Sequence, residues 1–276
     1  MGRHLVRIVS RMSLRTAMAH RNLLYLLSLK ELRTRYKKSV LGWAWSLLNP
    51  LSQMLIFTVI FTYVFQQQPL PGDPSGLKSF PLYFLIGLLP WNFFAITTSV
   101  SMSSVQSGSG LIKKVTFPHE HLVFSVVAAQ FVTLLIETAI LVVALLLAGA
   151  NPLPWLPVLL VLYVLWALFT TGIALALAAA NVFFHDVMYL WGILSQLLFY
   201  ATPVIYFPAR IGLDAMRAVA LYAPTGAFVV SFHAVLYDGK MPSLERWGYM
   251  VALALGSFAL GVRIFGRLSP RFAEEM

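Results

Sequence analysis

The chain has 276 residues, of which 59% are hydrophobic and 11% charged, and its formal net charge is +10. With a mean hydropathy of +0.79, this composition excludes a soluble globular domain and points to an all-α integral membrane protein with no nucleic-acid role. There is no cysteine, which excludes disulfides, Cys-ligated zinc and thiol catalysis.

Arg3, Arg7, Arg11 and Arg15 recur every four residues ahead of the first apolar run. That run comes late and is longer than the apolar core of a signal peptide, so no cleavable leader is expected. Tyr25, Leu29, Leu32 and Tyr36 then form an apolar stripe, with Lys30, Glu31, Arg33, Arg35, Lys37 and Lys38 largely on other faces. Glu31 precedes Arg35 by four residues, the favourable order for a helical ion pair. The pattern predicts an amphipathic helix in the membrane interface within residues 1–38. Two readings stand for its charges. They set topology and hold anionic lipid, each worth about 1 kcal/mol near the surface. Alternatively Lys30, Arg33 and Arg35, beside Glu31 and Tyr36, receive an anionic head group such as a phosphate.

Charged residues are absent from 39–72, 79–112, 138–185 and 187–209. Because a crossing helix needs roughly 20 apolar residues, these runs predict six spans, near 41–65, 80–106, 121–148, 155–183, 187–206 and 247–265. The whole chain reads as one membrane domain, with a cytoplasmic tail at 266–276. Ten of the 20 Lys and Arg residues lie in 1–38, two at 113–114 and three at 263–271. The positive-inside rule therefore places both termini and the 113–114 loop in the cytoplasm. Residues 218–237 are uncharged and long enough for a seventh span. Pro224-Thr225-Gly226 interrupts them, and a seventh span would move Arg263, Arg267 and Arg271 outside. A re-entrant hairpin dipping from the outer face fits better.

Glu137 is the acid deep inside a span, where carboxylates are costly; it either carries a proton or is neutral and hydrogen-bonded between helices. Aromatic residues cluster at Trp91 to Phe94, Phe183-Phe184, Phe199-Tyr200, Tyr206-Phe207 and Tyr222. They serve as interfacial belts and core, or they wall a passage on which the apolar faces of sugar rings rest. The segment Lys113-Lys114-Val115-Thr116-Phe117-Pro118 is short, basic and Pro-ended, and it suits a handle for a soluble motor. Enzyme chemistry looks absent. No G-x-x-x-x-G-K-[ST] loop is present, no carboxylate cluster could hold Mg²⁺, and the six histidines lack metal-ligand spacing.

Several segments together resemble the type-2 ABC permeases that export polysaccharides. They are Leu29 to Lys37 with Leu41 to Trp45 and Asn49-Pro50; Gly87 to Phe94 with Leu111 to Pro118; and Asn181 to Val187 with Tyr200 to Tyr206. The overall look is nearest to actinobacterial galactan-precursor exporters. The resemblance implies a homodimer in the bacterial plasma membrane, paired with two copies of a separate ATPase that binds ATP and Mg²⁺, with no cofactor in this chain. It makes 113–118 the coupling helix in an ATPase groove, 22–38 the interface helix beside the gate where cargo enters, and 207–237 the outer gate helices. The cargo would be a polyprenyl-pyrophosphate-linked polymer such as O-antigen, teichoic acid or galactan. On that footing Lys30, Arg33 and Arg35 meet the pyrophosphate. Trp91, Phe94, Phe199, Tyr200 and Tyr206 form the sugar path, and Pro203, Pro224, Thr225 and Gly226 the gate. The chain departs from the pattern at His185, where arginine is frequent, and at Gly108 and Ser109, where asparagine is common. The competing readings are an ABC-2 permease for a drug or small lipid, and a proton-driven flippase using Glu137.

Overall fold

The computed structural model describes residues 21–35, 42, 44–64, 66, 69–108 and 117–275. Among these residues the regular structure is helical. We number the helices α1 (Arg21–Arg35), α2 (Ala44–Val59, continued by a π-helical turn Ile60–Val64), α3 (Phe80–Ser107), α4 (Glu120–Leu147), α5 (Leu156–Phe183), α6 (Asp186–Ala201), α7 (Asp214–Tyr222), α8 (Pro224–His233, continued by a π-helical turn Ala234–Asp238), α9 (Leu244–Leu268) and α10 (Phe272–Glu275).

Local chemistry sets the ends. Extended Ser79 and a proline in the first turn open α3, the position where a missing N–H costs nothing. Acids in the first turns of α4 and α6, Glu120 and Asp186, complement the positive helix N-terminus. The hydroxyl of Ser243 caps α9 by accepting from the Arg246 N–H at 3.3 Å.

Phe80–Ser107, Glu120–Leu147, Leu153–Phe183 and Leu244–Arg271 are long and apolar enough to cross a membrane. The other two expected spans differ from each other. Helix α6 has 16 residues, or ~24 Å at 1.5 Å per residue, against a hydrocarbon core of about 30 Å, whereas α2 and the π-helical turn that continues it run unbroken over Ala44–Val64. The expected fifth span ran to residue 206, but α6 stops at Ala201. Thr202 is extended at φ −89, ψ 133, as a residue before proline prefers to be, and Pro203 follows. The last span was expected between Arg246 and Arg263. In the fold both arginines lie inside α9, and the Arg246 guanidinium donates to the Leu221 carbonyl at 2.5 Å and sits 5.4 Å from the Tyr222 ring. Helices α7 and α8 meet at an 80° bend. Gly226 permits it, since a Cβ there would collide with the Ala220 carbonyl.

Helix α3 is central: it packs against α2, α4, α5, α6 and α8. Its backbone carbonyls accept hydrogen bonds from neighbouring helices, Pro90 from Trp166 Nε1 at 2.9 Å, Met102 from Asn181 at 3.3 Å and Tyr83 from His233 Nε2 at 2.9 Å. The Gln106 amide returns a bond to the Asn181 carbonyl at 3.3 Å. Pro90 is carried without ending the helix.

Helices α5 and α9 make the most extensive helix pair, and glycines set its spacing. A Cβ on Gly172 would meet the Ser257 backbone, and one on Gly261 would meet the backbone of Gly172. Small residues at a crossing let backbones approach in an apolar medium, where packing rather than hydrophobic burial drives association. Gly172→Leu or Gly261→Leu is therefore expected to cost about 1–3 kcal/mol from overpacking, read as a lower melting temperature in detergent. Gly256→Leu, on the open face of α9, is expected to leave that temperature unchanged.

Candidate functional site

Helices α2, α3 and α6 enclose a cleft of about 400 Å³. Gln53 and Phe57 come from α2, Leu88, Trp91 and Asn92 from α3, and Gly192, Ser195, Gln196, Phe199 and Tyr200 from α6. Trp91 and Phe199 lie 5.5 Å apart with rings inclined at 55°, and Tyr200 stands edge-on to Phe199 at 5.4 Å. The lining thus combines an aromatic wall with three side-chain amides and a hydroxyl, and it carries no formal charge. Aromatic faces accept apolar C–H surfaces, and amides donate and accept hydrogen bonds without the desolvation cost of an ion. Such a lining suits a polyhydroxylated, uncharged segment. Gly192 has open space where a Cβ would stand.

Three of the five aromatics expected on a sugar path, Trp91, Phe199 and Tyr200, thus meet in one cleft. Phe94 does not reach it. At 1% exposure it is locked behind Trp91, with ring centroids 5.6 Å from Trp91, 5.3 Å from Trp166 and 5.9 Å from Trp191. Tyr206 is also elsewhere: its hydroxyl donates to the Ala201 carbonyl at 2.9 Å, and its own carbonyl accepts from Tyr83 at 2.9 Å. Gln53, Asn92, Ser195 and Gln196 were missed by a reading that followed rings alone. Their signal was uncharged hydrogen-bonding side chains set inside apolar runs.

At the end of the bundle that carries α7 and α8, the expected gate residues lie close together. Thr225 and Thr202 share a hydrogen bond of 2.7 Å between their hydroxyls. It ties the break after α6, where Pro203 sits, to the first turn of α8, which Pro224 opens. His233 stacks on Tyr83 at 3.8 Å with planes 3° apart. Gly87 makes room for that histidine, because a Cβ there would stand 3.1 Å from its ring. The loop before α3 is tied to the same end: Ser75 N–H donates to the Asp238 carbonyl at 2.9 Å, and Tyr237 hydroxyl to Leu70 at 2.7 Å.

The opposite, basic end holds the foot of the expected coupling segment. Lys113, Lys114, Val115 and Thr116 lie outside the described residues. Phe117 is buried in a core with Leu27 of α1, Val105 of α3, Leu122 of α4, Val182 of α5, Phe265 of α9 and Phe272 of α10. His119 meets the Phe117 ring edge-on at 5.6 Å and stacks on Phe272 at 6.0 Å. The foot of the expected coupling segment is thus packed against several helices and the helical turn at 272–275.

Helix α1 packs on α4. Leu27 is buried with Leu23 beside it, while Tyr25 is 66% exposed, and Leu32 of the expected stripe lines a cavity with residues of α3 and α4. Lys30 is exposed, and Glu31 lines a small cavity of about 220 Å³ with Gln130 of α4. The side chains of Arg33 and Arg35, and the whole of Tyr36, lie outside the described residues. Among the described residues no group of three His, Cys, Asp or Glu could hold a metal ion.

Burial lowers the pKa of His119 from its ordinary value, opposed by the neighbouring Glu120 and by a backbone hydrogen bond with Ser269. The fold therefore favours the neutral ring. This stabilisation is complete above the unfolded pKa of about 6.5 and is lost as pH falls through it toward the lower folded value. Melting temperature should fall between pH 7.5 and 5 more steeply in the wild type than in His119→Asn.

The sequence comparisons agree with this architecture. A profile of the ABC-2 type transporter family matches residues 22–237. The chain is 31% identical to the O-antigen export system permease protein RfbA of Myxococcus xanthus, over 93% of this chain and 96% of that one. It is 29% identical to the RfbA permease of Klebsiella pneumoniae, over 92% and 94%. A shorter likeness, 34% identity over 31% of each chain, links it to the polysialic acid transport protein KpsM of Escherichia coli. Family match and near full-length likeness together show that the chain belongs to the ABC-2 type transporter family.

Proposed function

We propose that this chain is the membrane subunit of an ATP-driven exporter that carries a polyprenyl-pyrophosphate-linked polysaccharide from the cytoplasmic to the outer face of the plasma membrane. The observation that carries the reading is the uncharged aromatic and amide cleft between α2, α3 and α6. The near full-length likeness to O-antigen permeases supports a sugar polymer over a drug or small lipid. Within O-antigen, teichoic acid and galactan types, the sequence look leans to galactan and the relatives to O-antigen.

On this reading the chain is one transport domain that crosses the membrane six times. Helix α6 is the short crossing, and α7 with α8 is a re-entrant outer hairpin, its irregular turn buried in protein. The basic excess at the end with α1 and α10 makes that end cytoplasmic, with both termini. The cleft is closed by three helices and open on the fourth side. A second copy applied there completes a passage, which is the support for a homodimer.

ATP hydrolysis belongs to a separate partner present in two copies. Its closure presses on Lys113 to Pro118, and the packed foot at Phe117 transmits the push. Lys30, Arg33 and Arg35 receive the pyrophosphate, with Glu31 and Tyr36 beside them. The sugar chain follows Trp91, Phe199 and Tyr200, backed by Phe94. The gate at Pro203, Pro224, Thr225 and Gly226, below Tyr206, yields at the outer end. Glu137 lines a different cavity that shares no lining residue with the cleft, which argues against proton-driven carriage through it.

Two measurements test the proposal. Replacing Lys113, Lys114 and Phe117 together by alanine should abolish export and weaken assembly with the ATPase, with Phe117→Leu as the packing control; full activity in the triple variant would refute the handle. Trp91→Ala and Gln196→Ala should each lower export about threefold to tenfold, the scale of roughly 0.5–1.5 kcal/mol per aromatic contact, with assembly intact. Unchanged export in both would remove the cleft from the path.

A further inference from the structure

The lack of charge in the cleft between α2, α3 and α6 extends well beyond its lining. No Asp, Glu, Lys, Arg or His occurs in residues 39–72, 79–112 or 187–209. Those stretches hold all of α2 and α3 and, past its first residue, all of α6. The charged residue on the three helices is Asp186, an acid at the start of α6. Gly192 of the lining stands roughly six residues on, ~9 Å along the axis. Sliding or tilting of these helices during transport therefore carries no cation into the cleft. A second copy that closed the fourth side with the same helices would add none either.

We propose that this cleft selects polymers whose repeat unit is uncharged and turns back those with a carboxylate or phosphate in each repeat. The proposal rests on the reading of the cleft as the sugar path. Pores that pass anions or phosphates place Arg or Lys along the way. An ion entering a narrow protein cavity gives up hydration that only a countercharge and hydrogen bonds replace. Here Gln53, Asn92, Ser195 and Gln196 can donate to and accept from sugar hydroxyls, but none of them balances a net charge. The faces of Trp91, Phe199 and Tyr200 take apolar C–H surface, and a ring face is the negative side of its quadrupole, which repels an anion.

The pyrophosphate of the proposed cargo is a single group per polymer, met on this reading by Lys30, Arg33 and Arg35 of α1 at the basic end. A charge in the repeat would meet the cleft again at every step. Among the polymer types considered above, neutral galactan or O-antigen chains fit this selection. Teichoic acid, whose repeats are joined by phosphate, does not.

The test uses the full-length chain reconstituted with its ATPase in liposomes and three forms of one lipid-linked galactan. They are the native polymer, the same polymer with part of its primary alcohols oxidised to carboxylates, and the methyl ester of that acid, which restores neutrality without removing bulk. Native and ester forms are expected to be exported at similar rates, and the acid form about tenfold more slowly. Gln196→Lys, which puts a cation on the cleft wall, is expected to raise export of the acid form several-fold relative to the native polymer. A second measurement reads the cleft without cargo, comparing Gln196→Cys with Leu153→Cys on the exposed turn before α5. The rate with an anionic methanethiosulfonate, relative to a neutral one, should be about tenfold lower at position 196. Acid and native forms exported alike would overturn the proposal, as would equal slowing of acid and ester, or equal reagent preference at the two cysteines. Export of none of the three forms would contradict the exporter reading itself, and the proposal with it.

Discussion

Hydrocarbon offers no hydrogen bonds, so a polar group in this bundle gains by finding a partner elsewhere in the protein. Helix α3 is where most such links converge. It is covered by neighbours, and it accepts hydrogen bonds on its backbone carbonyls from Trp166, Asn181 and His233. These bonds fix the rotation of α5 and α8 against it. Side-chain packing alone would leave that rotation loosely defined, since lipid tails are as apolar as the helices themselves. Trp91 and Asn92 then face the cleft because the opposite side of α3 is engaged by α5. A cleft lined with amides is tolerable for the same reason, as it lies between helices.

The two ends of the bundle are built differently. At the basic end aromatic rings and small aliphatic residues from six helices lock around Phe117 and Phe272, which makes a stiff seat for an applied force. At the other end the rings of Tyr83, Phe207, His233 and Tyr237 pack together, and polar links join the connecting segments: the hydroxyl pair Thr202–Thr225, the Arg246 contact with Leu221 and the ties between the 69–79 loop and Asp238. Each such bond contributes about 1 kcal/mol net. The Gly172–Gly261 crossing joins the two ends, since α5 and α9 run the length of the bundle in close contact.

Much of this was legible in the residues. The absence of charge over 79–112 and 138–185 leaves no alternative to long buried helices. The starts of α3, α4 and α5 fall within one residue of expectation, because Pro81, Glu120 and Pro157 mark first turns. What was not legible depends on rotation and on neighbours. That Leu27 is buried and Tyr25 exposed depends on where α1 docks, which its own residues do not record. Phe94 looked like a partner of Trp91 but is its backing, as three residues along a helix turn the ring toward Trp166. The amides of the cleft come from three helices, a convergence no one-dimensional spacing records. The motif likenesses did carry the family, because short segments such as Gly87 to Phe94 hold residues whose roles are fixed by close contact.

The central claim is that sugar polymer passes through the cleft while force enters at residues 113–118. The chain has no cysteine, so a single one placed at Gln196 can be labelled cleanly with a water-soluble maleimide in the complex reconstituted with its ATPase. The account predicts that Gln196→Cys is labelled at rest and becomes protected when lipid-linked polysaccharide and ATP are both supplied, whereas Val143→Cys, on the lipid-facing side of α4, shows no such change. Labelling of Gln196→Cys that stays the same during active export would contradict it.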